Sequence, residues 1–220
     1  ATILFADLVG FTAGASRVDP KALVRFLDRY FGDVDDLCRA AKVEKIKTIG
    51  DCYMCVGWAD DWTDVTPAAS AARVLAVADR MHDVIHRTPL GMKRLAVRAG
   101  VHTGTVVSGI IGKTKLAFDV WGDAVNVASR MESTGIPGAT QVTADTYALL
   151  RDQEQFVERG LVDVKGRGRL QTYISVEPPP TAADDPIMCD PEDAPASNAV
   201  QMFYDLLTAS EDRRAPQSDM

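Results

Sequence analysis

The sequence predicts an α+β fold in which a mainly antiparallel sheet carries helices on one face. Short runs of β-favouring residues alternate with two long segments whose apolar residues recur about every 3.6 positions, as on one side of a helix. Each helical segment begins with a capping residue followed by proline, Asp19-Pro20 in the first and Thr66-Pro67 in the second. Between them, Gly50-Asp51 joins two strand-like runs in the manner of a tight β-hairpin. The resulting order, β-α-β-β-α-β, is the ferredoxin-like layout, with extra strands and helices C-terminal to it.

The individual elements follow from this pattern in chain order. The first strand lies at residues 2–6, and the first helix follows Asp19. Apolar stripes define the two long helices: Leu23, Phe26, Leu27, Tyr30, Val34 and Leu37 in the first, and Ala71, Val74, Leu75, Ala78, Met81 and Ile85 in the second. The remaining predicted elements are the hairpin at 44–54, strands near 95–102 and 105–111, a short run at 116–120, a helix at 123–131, a small helix near 144–150, and strands near 156–159 and 170–176.

The chain divides into a body at residues 1–176 and an acidic, proline-rich tail at 177–220. Ten of the 31 acidic residues but only two of the 24 basic residues lie in the tail, so the body carries a net charge of +1. A near-neutral body has no broad positive surface, and we therefore expect no nucleic-acid partner. The apolar pattern within the tail is compatible with a short helix at 198–210.

The composition also bears on membranes and cysteine chemistry. No run approaches the ~20 apolar residues of a membrane span, and no signal peptide leads the chain. We expect a cytoplasmic domain cut from a longer protein, with membrane association only through segments absent from this chain. Cys52 and Cys55 are three residues apart on a predicted strand and point to opposite faces, which disfavours a metal or redox pair.

Two aspartates are candidate metal ligands. Asp7 ends a buried strand and precedes a glycine-containing loop, and Asp51 stands at the tip of the hairpin. In a ferredoxin-like sheet the first strand and the hairpin can be neighbours, and two converging carboxylates can then hold two Mg²⁺ ions for phosphoryl chemistry. The alternative for Asp51 is a carboxylate that only shapes the turn.

Polar residues further along the chain are suited to a nucleotide. Asn126 and Arg130 are four residues apart on a predicted helix and share a face, where arginine can bind phosphate and asparagine can bind a sugar oxygen. Asp119 lies in an apolar run and needs a partner. Lys165 belongs to a glycine-rich basic loop that either closes over phosphates or forms a solvated turn.

Two pairs of polar residues on the predicted helices also have an interpretation without a function. Asn126 and Arg130 are equally consistent with a solvated polar stripe. His82 and His86 are also four residues apart, but no glutamate follows His82 as in zinc peptidases, and we interpret the two as surface polar residues.

Several of these segments together resemble the class III nucleotidyl cyclase catalytic domain. They are residues 5–12, the hairpin at 45–54, residues 101–104 with Gly109, residues 118–126 followed by 128–133, and residues 164–166. They occur in the family's order across residues 1–176, which the resemblance identifies as the catalytic domain. The chain is most similar to bacterial adenylyl cyclases of the homodimeric, mammalian-like subclass.

The resemblance implies a role for each matching residue. Asp7 and Asp51 correspond to the metal-binding aspartates, and the Leu8 carbonyl to a further ligand. Asn126 corresponds to the ribose-orienting asparagine, and Arg130 to the arginine that stabilises the transition state. The implied substrate-binding residues are Lys47 and Asp119 for adenine, Lys165 for the triphosphate, and Phe11 and Thr12.

The implied activity is conversion of ATP to 3′,5′-cyclic AMP and pyrophosphate with two Mg²⁺ or Mn²⁺ ions per site. The resemblance also implies a head-to-tail homodimer with two shared active sites. Guanylyl cyclase is the nearest alternative, although guanine presents a donor and an acceptor opposite to those that Lys47 and Asp119 would bind. A non-catalytic module that binds nucleotide and dimerises is the second alternative. A diguanylate or polymerase-type enzyme finds no supporting motif.

Overall fold

A mixed sheet organises the part of the chain that the structure describes. The computed structural model describes residues 1–11, 15, 18–59, 64–88, 95–152 and 155–176, all within one unit, Ala1–Pro178. The seven strands of the main sheet are β1 (Thr2–Val9), β2 (Glu44–Ile49), β3 (Cys52–Gly57), β4 (Ala96–Thr103), β7 (Thr140–Thr143), β8 (Gln155–Val164) and β9 (Gly168–Val176). A separate hairpin consists of β5 (Val107–Ile111) and β6 (Ala117–Trp121). The helices of the described ranges include α1 (Pro20–Ala41), α2 (Pro67–Arg87), α3 (Asp123–Ser133) and α4 (Ala144–Leu150).

The predicted fold class is confirmed. The main sheet has the order β2-β3-β1-β4-β7-β9-β8. Its first four strands are joined by antiparallel ladders, and the parallel β4–β7 pair attaches the C-terminal strands. With α1 and α2 as the crossovers, these four strands form the ferredoxin-like core.

Both long helices begin where the capping pattern predicts. The Asp19 carboxylate accepts a hydrogen bond from the Ala22 amide at 3.0 Å, and the Thr66 hydroxyl accepts one from the Ala69 amide at 3.1 Å. Each cap satisfies one of the amides that the first helical turn leaves without an intrahelical partner. The helix starts are therefore determined locally.

The two faces of β1 pack against different helices. Leu4 and Leu8 belong to the buried cluster that α1 and α2 share, because alternate residues of a strand point to one face. Ile3 and Phe5 point the other way and pack with residues of α3 such as Ala128. The two helices of the ferredoxin-like core thus share one face as predicted, whereas the additional helix α3 covers the opposite face.

Some predictions fall on residues that the structure does not describe. The acidic tail at 177–220 and its helix at 198–210 are among them, as is Thr12. Within the described ranges, none of the helices combines the length and apolar character needed to cross a membrane.

Candidate active site

The sheet register brings the two candidate metal ligands to the same end of neighbouring strands. β1 and β3 are antiparallel with Ala6 opposite Tyr53, so Asp7, two residues before the end of β1, lies beside the hairpin turn that carries Asp51. The strand therefore extends beyond Asp7, which was predicted to end it. Gly50 adopts a φ of 64° in this turn, a conformation that favours glycine. Burial and the negative charge of Asp51 raise the pKa of Asp7, and this rise is opposed by Arg98 and by the Leu8 amide.

These carboxylates fit a divalent cation. The negative charge of Asp51 opposes ionisation of Asp7, and a cation between the two carboxylates would offset this repulsion. Among the described residues, no group of three or more histidine, cysteine, aspartate or glutamate side chains completes a cation cage. The remaining ligands would therefore be backbone oxygens such as that of Leu8, water and substrate oxygens, which is the usual mode for Mg²⁺.

A charged pair that the sequence analysis missed lies next to Asp7. The Arg98 guanidinium is 3.4 Å from the Asp7 carboxylate. Its Nη2 and Nε atoms lie 2.6 and 2.8 Å from Oε1 of Glu132, which is 8% exposed. Arg98 sits between the buried residues Val97 and Ala99 of β4, and a charge in so apolar a strand is a signal for a buried partner.

Lys47 and Asp119 form an ion pair between β2 and β6. The Lys47 ammonium is 2.6 Å from the Asp119 carboxylate, and the side chains are 39% and 18% exposed. Burial opposes ionisation of Asp119, but the hydrogen bond from Lys47, the Val120 amide and the Lys47 charge outweigh it, so the pKa of Asp119 is lowered. The predicted need of Asp119 for a partner is confirmed.

Helix α3 presents Asn126 and Arg130 to solvent. The opposite side of the helix is buried along the stripe Ala124, Val127, Ala128 and Met131. Asn126 and Arg130 are both exposed and, four residues apart, share a face as predicted. Their side chains are thus available to a ligand or to a second chain.

Lys165 lies in the exposed turn between β8 and β9. Arg167 of the same turn forms an ion pair with Asp123, the first residue of α3. This contact places the basic turn beside the N-terminus of the helix that carries Asn126 and Arg130.

Phe11 has a different environment from the other candidates. Its side chain is 7% exposed, and its ring stacks on that of Phe26 with centroids 6.1 Å apart. The ring therefore belongs to the core.

The candidate residues fall into two sets. The first set, which we call the metal set, consists of Asp7, Asp51, Arg98 and Glu132, which interact with one another at the end of β1. The second, the base set, consists of Lys47 and Asp119 together with the exposed face of α3. Together they offer two neighbouring carboxylates, an exposed arginine and a paired donor and acceptor, and these groups suit a nucleoside triphosphate with a divalent cation.

Comparison with known proteins agrees with this chemistry. A family model described as the adenylate and guanylate cyclase catalytic domain matches residues 1–176. The chain is 42% identical over 178 residues to an adenylate cyclase of Mycobacterium tuberculosis, covering 79% of this chain and 38% of that protein. It is 35% identical over 179 residues to human guanylate cyclase soluble subunit beta-2, covering 80% of this chain and 28% of that protein. The chain therefore spans less than two fifths of the length of these curated relatives.

Solved structures show the same similarity. The guanylate cyclase domain of RhGC from Catenaria anguillulae, in complex with GTP, has a TM-score of 0.73 at 29% identity, covering 81% of this chain and 96% of that one. The adenylyl cyclase CyaB from P. aeruginosa also has a TM-score of 0.73, at 26% identity, covering 81% of this chain and 94% of that one. Similar structures thus include cyclases of both nucleotide types.

Proposed function

The chain belongs to the family of adenylate and guanylate cyclase catalytic domains, and from this premise we propose that it converts ATP to 3′,5′-cyclic AMP and pyrophosphate. The observation that carries the choice of ATP is the Lys47–Asp119 pair, with its charged groups 2.6 Å apart. The similarity to adenylate cyclases supports the same choice, although guanylate cyclases are also similar.

The pair offers a donor beside an acceptor, which is complementary to adenine. Adenine presents N1 as an acceptor and the exocyclic amine as a donor, so Lys47 would donate to the first and Asp119 would accept from the second. The lowered pKa of Asp119 keeps its carboxylate an acceptor at neutral pH. Guanine presents an N–H and a carbonyl oxygen at these positions, which would leave both protein groups mispaired, and such mismatches can cost ~10⁴-fold in specificity.

Asp7 and Asp51, with the Leu8 carbonyl, would hold two Mg²⁺ or Mn²⁺ ions. Bound there, divalent cations lower the pKa of the ribose 3′-OH and neutralise phosphate charge. The half-buried environment that raises the pKa of Asp7 supports this assignment, because a cation would offset the repulsion from Asp51.

The remaining residues would bind and orient the nucleotide. Lys165 would bind the triphosphate, and Asn126 would orient the ribose. The 3′ oxygen bonds to the α-phosphorus as the bond to pyrophosphate breaks, and the hydroxyl proton is released. Arg130 would stabilise the charge that grows on the α-phosphoryl group, a contribution typically of ~3–4 kcal/mol for one well-placed donor.

We further propose a head-to-tail homodimer in which the metal set of one chain meets the base set of its partner. Each chain carries both sets, so a symmetric dimer would contain two shared sites. The β5–β6 hairpin, which carries Asp119, supplies apolar surface for such an interface. The exposed apolar residues of this hairpin and its loop are Val107, Ile110, Ile111, Leu116, Phe118 and Trp121.

A nucleotide-selectivity assay tests the proposed reaction. The purified chain would be given equal ATP and GTP with Mg²⁺ or Mn²⁺, and cyclic AMP should exceed cyclic GMP by about 10²- to 10⁴-fold. Lys47→Glu combined with Asp119→Cys should move the preference toward GTP. Lys45→Glu is the matched control, because Lys45 lies on the same strand but pairs with Asp35 at 2.7 Å.

Each other outcome has a defined meaning. Cyclic GMP as the main product would make the chain a guanylyl cyclase. Absence of both products with either metal would favour the non-catalytic nucleotide-binding module. An unchanged preference in the double variant would remove the base-reading role from the pair.

A further inference from the structure

A partly buried arginine–glutamate pair lies against the carboxylate proposed to bind metal. Arg98 stands directly opposite Asp7 in the β1–β4 ladder, and its guanidinium bridges two carboxylates. The contacts to Glu132, at 2.6 and 2.8 Å, are shorter than the contact to Asp7, at 3.4 Å. The guanidinium is therefore held by Glu132 and only approaches Asp7.

The close packing of α3 on β4 sets the position of Glu132. Gly100 lies two residues beyond Arg98 and faces the same side of the sheet. A Cβ atom at Gly100 would lie 1.9 Å from the Glu132 amide nitrogen and 2.5 Å from its Cα, so only glycine allows the helix backbone this close. A Cβ atom at Gly135 would lie 3.1 Å from Cγ of Arg98, so the stem of Arg98 fills the space on the other side.

The charges of the metal set show how the Arg98–Glu132 pair would affect binding of a divalent cation. When all are ionised, the carboxylates of Asp7, Asp51 and Glu132 face the single guanidinium of Arg98, which leaves a net charge of −2. Burial raises the pKa of Glu132, and the negative charges of Asp7 and Asp51 add to this rise. The hydrogen bond and charge of Arg98 oppose it but do not cancel it. If Glu132 did not hold it, the forked guanidinium would be free to close on Asp7, where it would compete with a divalent cation.

We propose that Glu132 is a positioning residue for the divalent-cation site, and that it acts by holding Arg98 off the Asp7 carboxylate. This inference rests on the proposed function only in taking Asp7 as a metal ligand. Mutation of a residue that orients a metal ligand typically lowers metal affinity by ~10–100-fold. Loss of Glu132 should therefore weaken cation binding by about tenfold or more.

The test measures binding of Mn²⁺ alone to the full chain, from the loss of the electron paramagnetic resonance signal of free Mn²⁺. Two variants separate position from charge. Glu132→Gln keeps the shape and an acceptor but loses the charge, whereas Glu132→Asp keeps the charge but shortens the reach. Both should bind Mn²⁺ about tenfold more weakly, and Glu132→Asp decides the matter if Glu132→Gln fails to fold. Wild-type affinity in Glu132→Asp would overturn the proposal.

A double-mutant cycle shows whether the effect passes through Arg98. Arg98→Met removes the guanidinium that competes with the metal ion. Adding Glu132→Gln to this variant should therefore lower Mn²⁺ affinity by less than about threefold. A loss as large as in the single Glu132→Gln variant would mean that Glu132 acts by its own charge, which would also overturn the proposal. A purely structural role would lower thermal stability in both backgrounds without this difference in metal affinity.

Asp7→Ala distinguishes failure of this inference from failure of the proposed function. If wild-type Mn²⁺ binding is absent or survives Asp7→Ala, the metal site itself is wrong and the inference fails with it. If Asp7→Ala abolishes binding but the Glu132 variants bind normally, only the inference fails. In turnover assays, the Glu132 variants should raise the half-saturating Mn²⁺ concentration by the same factor, with a smaller change in kcat at saturating Mn²⁺.

Discussion

Gly100→Ala should remove most of the proposed cyclase activity while leaving the chain folded. The added methyl would lie 1.9 Å from the Glu132 amide nitrogen and 2.3 Å from the Met131 carbonyl carbon. Both atoms belong to the backbone of α3, so no side-chain rotation relieves the clash. The helix must retreat by about 1.5 Å to reach an ordinary contact of ~3.5 Å, and it would carry Asn126 and Arg130 with it.

The expected magnitudes differ for stability and for catalysis. Overpacking of this kind typically costs ~1–3 kcal/mol in the free energy of unfolding. A misplacement of ~1 Å at a reacting centre can cost ~10²-fold in rate. We therefore expect kcat for cyclic AMP formation to fall about 100-fold or more, with a urea unfolding midpoint that is lowered but still well defined.

Gly57→Ala is the matched control. Its added methyl would lie 2.7 Å from the Ser70 hydroxyl and from a Val74 methyl, on the face that packs against α2. The loss of stability should be comparable, but α3 should not move and kcat should stay within about threefold of wild type. Wild-type kcat in Gly100→Ala, or an equal loss of kcat in Gly57→Ala, would refute the link between the close approach of α3 and catalysis.

Three further predictions concern the other parts of the site and the core. Arg130→Ala should lower kcat by about 10²- to 10³-fold with little change in KM, and unchanged turnover in steady-state assays would refute the transition-state role. Asp7→Ala and Arg130→Ala chains should each be inactive, but an equimolar mixture should recover about a quarter of wild-type activity, because half of randomly paired dimers contain one intact site out of two; no recovery would count against shared sites. The partly buried His82 has its pKa lowered to about 4 by burial and the charge of His86, against ~6.5 in the unfolded chain. As the pH falls from 7.5 to 5 the unfolded state therefore binds the extra proton, and the free energy of unfolding should fall by about 2 kcal/mol more than in His82→Gln; equal falls in urea titrations would contradict this.

Local features of the fold were predictable from the sequence. The helix starts at Asp19 and Thr66 follow from capping side chains that bond amides three residues away. The Gly50-Asp51 turn follows from the backbone preference of glycine, and the structure shows Gly50 with a positive φ. Interactions that span only a few residues leave a readable pattern.

Features that depend on contacts between distant elements were predicted less well. The stripe of α3 predicts a buried face but does not say which side of the sheet it covers, and the expectation of helices on one face fails for this helix. His82, interpreted as a surface residue, is partly buried and lies 3.1 Å from the Thr140 hydroxyl across 58 residues. In both cases the burial depends on the packing partner.

In the candidate site, too, single residues were predicted better than the contacts between them. The apolar run around Asp119 predicted a charged or hydrogen-bonding partner for its carboxylate. The pattern alone did not identify this partner as Lys47, which is 72 residues away. Arg98 and Glu132 were missed, although each is a charged residue in a segment that is otherwise buried. Specific roles for Asn126, Arg130, Lys165 and Phe11 came from the family resemblance, and they remain predictions, of which the Arg130→Ala variant tests one.

The sequence by itself determined the order of the elements, the starts of the helices, the hairpin turn and the family, because these depend on short-range spacing and on motifs read in order. Only the tertiary structure decided the side of the sheet that α3 covers, the environment of Phe11, and the Arg98 bridge between Asp7 and Glu132. These contacts join residues far apart in the chain, and their geometry depends on how closely two backbones approach. The Gly50-Asp51 turn depends on both. Its backbone conformation is determined locally, whereas the register of β1 and β3, which brings Asp51 close to Asp7, is determined by the sheet.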